Sequence, residues 1–77
     1  MSGVGGYSRT AGRPLTPRMV AVLDAAGRGL TAGQTARELG VSEATVWSIR
    51  TAACMRLGNA PNVVAAYARA RARGELA

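Results

Sequence analysis

Residues 31–57, TAGQTARELGVSEATVWSIRTAACMRL, constrain the fold more than any other part of the chain. Ala36 and Leu39 supply apolar positions before Gly40, which can adopt a positive φ at low cost, and Val41 fills the corner ahead of Ser42. Ser42 is a good N-cap for a following helix, and Glu43 places negative charge at that helix's positive end. Two short helices joined by a tight glycine corner have the layout of a helix-turn-helix.

The flanking segments extend this unit to an all-α fold of four helices. Thr16 as N-cap and Pro17 at the first helical position start a helix that should reach about Ala26, with Gly27 and Gly29 ending it. Met19, Val22, Leu23 and Ala26 follow helical spacing and form its buried stripe. Thr31 caps the second helix, in which Ala32, Thr35, Ala36 and Leu39 face the core. Gly33 and Thr35 weaken that helix, so packing must hold it.

The third helix should span residues 43–57 and stop at Gly58. At about 100° per residue, Val46, Ala53 and Leu57 share the inner side. Ile49 and Cys54 lie on its flanks, and Ala44, Ser48, Thr51 and Met55 lie opposite. A fourth helix is expected from near Pro61 to about Arg73, with Asn59 or Ala60 as its cap. Val63, Ala66, Tyr67 and Ala70 would close the core. Ala65, Ala68 and Ala72 form a second stripe, which either lets a like helix from another subunit pack closely or simply favours helix formation.

Residues 1–14, with four glycines and little to bury, are expected to be a flexible basic arm ahead of a domain covering residues 15–77. Arg9 and Arg13 would let that arm lie on phosphate or enter a minor groove; the alternative is a leader with no role.

Composition narrows the function. Ten basic residues, all Arg, against four acidic ones give a formal net charge of +6 and a pI near 11.4, a balance suited to a nucleic-acid partner. With one cysteine and no histidine there is no intrachain disulfide and no plausible zinc ligand set, so no metal or cofactor is expected. An enzyme is not expected either, because paired carboxylates and a phosphate-binding loop are missing from the sequence. No apolar run approaches the roughly 20 residues of a membrane span, and a cytoplasmic protein is expected.

The motifs PLTPR at Pro14 to Arg18, Val22 with Leu23, GLT at Gly29 to Thr31, ARELGVSEATV at Ala36 to Val46, and RLG at Arg56 to Gly58 occur in one order. In that arrangement the chain resembles the LuxR/GerE-type DNA-binding domain over about four-fifths of its length. The resemblance implies a transcription regulator whose third helix enters the major groove and whose fourth helix mediates a homodimer. The chain departs from the family pattern at Met19, Val20, Gln34, Thr35, Trp47 and Ile49.

Ser42 and Thr45 at the helix N-terminus are candidate contacts to backbone phosphate, although capping alone also accounts for Ser42. Trp47, Ser48 and Thr51 are candidate base contacts, and Arg50 and Arg56 candidate phosphate contacts. Trp47 either meets DNA, at a thymine methyl or the backbone wall, or folds over the helix flank beside Val46 and Cys54. Arg50 either reaches a phosphate or pairs with Glu38 or Glu43. Arg69, Arg71 and Arg73 are expected on a solvated face.

The leading expectation is a single-domain regulator of duplex DNA, controlled by abundance, a partner or dimerisation. An accessory or phage-encoded protein of recombination, or a module that binds RNA polymerase like region 4 of sigma factors, are the alternatives.

Overall fold

The computed structural model of the chain describes residues 14–76. Thus the expectation for the N-terminal arm lies outside the described residues, apart from Pro14. Four α-helices follow in order: α1 (Pro17–Gly27), α2 (Ala32–Leu39), α3 (Glu43–Arg56) and α4 (Val63–Ala72). No strand occurs among the described residues.

Local chemistry starts each helix. Thr16 accepts from the Met19 amide at 3.2 Å, and Pro17 occupies the first helical position, where a missing N–H costs nothing. Thr31 and Gln34 bond reciprocally at the start of α2, each side chain accepting from the other's backbone amide, at 3.1 and 2.9 Å. Ser42 accepts from the Thr45 amide at 3.1 Å to open α3. Between α2 and α3 the corner turns on Gly40, at φ 71° and ψ 33°, and the Val41 amide donates to the Ala36 carbonyl at 3.0 Å.

The start of α4 corrects the sequence reading. The helix begins at Val63 with Asn62 as its cap, bonded to the Ala65 amide at 2.9 Å, rather than near Pro61 with Asn59 or Ala60. Asn59 is used to terminate α3, because Gly58 and Asn59 both take left-handed conformations at φ 74° and 57°. Ala60 is then drawn into the core, with its amide on the Cys54 carbonyl.

Two groups of buried side chains hold the helices together. Val22, Ala32, Ala36 and Val46 join α1, α2 and α3, while Met19, Leu23, Ala53, Leu57, Ala60, Ala66 and Ala70 join α1, α3 and α4. Ile49 packs against both groups and makes α3 the common element. The α1 stripe runs through Ala25 rather than Ala26, which is only half-buried. Thr35 is fully buried without a polar deficit, because its hydroxyl donates to the Thr31 carbonyl at 2.8 Å. So many of these residues are alanines that each large side chain matters; fully burying a Val or Leu contributes about 1.5–3 kcal/mol.

Longer contacts fasten the edges. The Leu15 amide donates to Glu75 at 2.8 Å, and Leu15 and Leu76 both pack on the larger core group. Arg28 bridges Asp24 of α1 and Glu38 of α2, at 3.2 and 2.6 Å, and its guanidinium holds the Glu38 carboxyl below the usual carboxylate range. The Tyr67 ring of α4 lies directly on Gly27, where an added Cβ would overlap the ring.

Gly40 has open space around its Cα, so its conformation and not crowding sets the cost of a side chain there. Gly40→Ala is expected to destabilise the fold by about 1–2 kcal/mol in chemical denaturation, with Gly40→Asn losing less. An alanine variant as stable as the parent would contradict the left-handed corner.

Candidate nucleic-acid interface

α3 has two unlike sides because its sequence alternates bulk and smallness at helical spacing. Val46, Ala53 and Leu57 are buried, Ile49 and Cys54 are half-buried, and Ala44, Ser48, Thr51 and Met55 are exposed. This matches the expected wheel at each of these positions. Apart from Met55, the outer side is a low ridge of short side chains, and such a ridge can approach the edges of base pairs closely.

Trp47 stands beside the ridge at 54% exposure, so it is not folded over the flank onto Val46 and Cys54. The Arg50 guanidinium carbon lies 5.1 Å from the centroid of its ring, a cation–π arrangement that restricts both side chains. Arg50 pairs with neither Glu38 nor Glu43 among the described residues, since Arg28 takes Glu38. Instead its Nη2 lies 3.5 Å from the Leu30 carbonyl, and its Nε is buried without a partner. The Thr51 hydroxyl donates back to the Trp47 carbonyl at 3.0 Å.

The first turn of α3 is also internally bonded. The Ser42 and Thr45 hydroxyls lie 2.8 Å apart, in addition to the Ser42 cap. Glu43 is exposed, and its carboxylate reaches over Gly33 of α2, where an added Cβ would sit 3.8 Å from Oε1. At the far end of α3, Arg56 donates to the Pro14 carbonyl at 2.8 Å and thereby ties the start of the domain to this helix.

Two arginines expected on a solvated face have a structural task. Arg69 donates to the Leu57 and Gly58 carbonyls at 2.8 and 3.1 Å, and Arg73 donates to the Arg56 carbonyl at 3.0 Å. Both neutralise the negative C-terminal end of α3 and clamp it to α4. Arg71 lies 5.9 Å from the Tyr67 ring centroid. On the α4 stripe, Ala68 and Ala72 are exposed, while Ala65 is half-buried against the chain's own core. Val64, which the sequence reading passed over, is 74% exposed.

Arg37, exposed in the last turn of α2 and three residues before the corner, is a further cation that the sequence reading did not single out. Its position at the end of the helix preceding the ridge was the available signal. No group of three or more potential metal-ligating side chains occurs among the described residues. Nor is any helix among them long and apolar enough to cross a membrane.

Burial pushes the Cys54 thiol up, against the opposing effect of the Arg50 and Arg69 charges. It should therefore alkylate slowly at pH 7, with the rate climbing only above the ordinary thiol range near 8.5. Fast labelling of the folded protein at neutral pH would show that the thiol is not packed in this way.

Residues 13–70, about three-quarters of the chain, match the family model GerE, described as bacterial regulatory proteins of the luxR family. No individual curated protein matches the chain. The four helices, the glycine corner and the matched span agree, and the chain belongs to the LuxR family of bacterial regulatory proteins, with that family's DNA-binding helix-turn-helix domain.

Proposed function

We propose that the protein is a sequence-selective transcription regulator that binds duplex DNA in the cytoplasm, with α3 in the major groove. The observation that carries this reading is the exposed ridge of Ala44, Ser48 and Thr51 on a helix whose other side is locked into the core. Ser42 and Thr45 lie where backbone phosphate would meet the positive end of α3. Trp47, Ser48 and Thr51 face base edges in this placement, with Arg50 and Arg56 beside the strands. A guanidinium has five N–H donors, so the carbonyl contacts to Leu30 and Pro14 leave Arg50 and Arg56 others for phosphate. Arg37 adds a cation at the end of α2.

Dimerisation through α4 completes the reading. Ala68 and Ala72 are exposed small residues next to exposed Val64, a surface that another copy of the helix can approach closely. Ala65 contributes at the edge of that surface, since it is shared with the core. Two ridges on a symmetric dimer would read two half-sites and raise a specificity that single hydroxyl contacts leave low.

Fluorescence anisotropy with duplexes selected from a random pool tests the assignment. Arg50→Ala should weaken binding and reduce the salt slope by about one, whereas Ser48→Ala and Thr51→Ala should shift preference at particular base pairs and leave the salt slope unchanged. If all three variants bind as the parent does, α3 is not the DNA-contacting surface.

A further inference from the structure

The outer side of α3 is marked by the chemistry it lacks. Its exposed residues beyond Glu43 are Ala44, Trp47, Ser48, Thr51 and Met55. None of these is Arg, Lys, Asn or Gln, the side chains that grip a guanine or adenine edge through two hydrogen bonds. The polar groups nearby are largely committed within the protein. Ser42 and Thr45 bond each other, and the Thr51 proton is spent on the Trp47 carbonyl. Arg50 is folded back over the Trp47 ring and toward Leu30, with its Nε already buried.

Apart from the Ser48 hydroxyl, what this surface presents is apolar: the Ala44 methyl, the Met55 thioether at 40% exposure and, above all, the Trp47 indole at 54%. In the major groove of DNA the matching apolar feature is the 5-methyl group of thymine. We infer that α3 recognises thymine through that methyl group, that its half-site is accordingly thymine-rich, and that Trp47 is the principal specificity-determining residue, positioned by Arg50. This rests on the placement of α3 in the major groove proposed above. Trp47 suits the task because its large ring is restrained by the cation beside it, so little freedom remains to be lost when a methyl group packs on it.

Replacing thymidine by deoxyuridine removes the methyl group and preserves base pairing, which gives a direct test. Duplexes selected from a random pool by the full chain are resynthesised with deoxyuridine at one thymidine at a time, and affinities are compared at fixed salt. Binding should weaken about fourfold at each contacted thymine and stay unchanged when the replacement lies in the flanks. Trp47→Ala should bring the thymidine-to-deoxyuridine ratio close to one at one position while other positions keep theirs. Trp47 lies outside the buried core, so circular dichroism should report an unchanged helical content for this variant.

Tight, selective binding that is indifferent to every deoxyuridine replacement overturns the thymine inference and leaves the groove placement standing. Discrimination fully retained in Trp47→Ala overturns the role of Trp47. Failure to select any duplex overturns both the inference and the DNA-binding reading beneath it.

Discussion

The structure depends on the burial of one side of α3. Val46 locks that helix to α1 and α2, Ala53 and Leu57 lock it to α1 and α4, and Ile49 touches both groups. With its inner side fixed, the outer ridge is presented at a set height and angle without needing contacts of its own. Val46, Ile49 and Leu57 put bulk where it excludes water, while Ala44, Ser48 and Thr51 keep the outer ridge low beside the exposed Trp47.

Charge is divided in the same way. Arg28 engages Asp24 and Glu38, Arg73 engages Glu75, and Arg69 joins Arg73 on the terminal carbonyls of α3. Those arginines bind helices to one another in a domain with few large apolar side chains. Arg18 and Arg37 are exposed, and Arg50 and Arg56 flank the ridge, which keeps positive charge where it can draw a polyanion. Composition alone does not separate the arginines that fasten the helices from the others.

The glycine corner, the Thr16, Thr31 and Ser42 caps and the inner stripe of α3 were legible in the sequence because local chemistry sets them. Thr31-x-x-Gln34 also carried the reciprocal capping pattern, a signal present in the residues but passed over. The start of α4 was misplaced because Asn59 and Asn62 are both plausible caps. Only the left-handed pair at Gly58 and Asn59 decides between them. Trp47 lies between the two sides of the wheel, and its stacking with Arg50, which also reaches the Leu30 carbonyl twenty residues back in sequence, is a tertiary arrangement that the wheel does not encode. The arginine clamps on α3 and the Tyr67 ring on Gly27 are tertiary contacts with no local pattern to announce them.

Amide chemical shifts followed while duplex DNA is titrated into the labelled protein at moderate ionic strength test the central claim most directly. The largest changes are expected from Ser42 to Arg56, concentrated at Ala44, Trp47, Ser48 and Thr51, with the buried residues Leu23 and Ala66 little affected. Shifts confined to α1 and α4, or no shifts at all, would contradict the account.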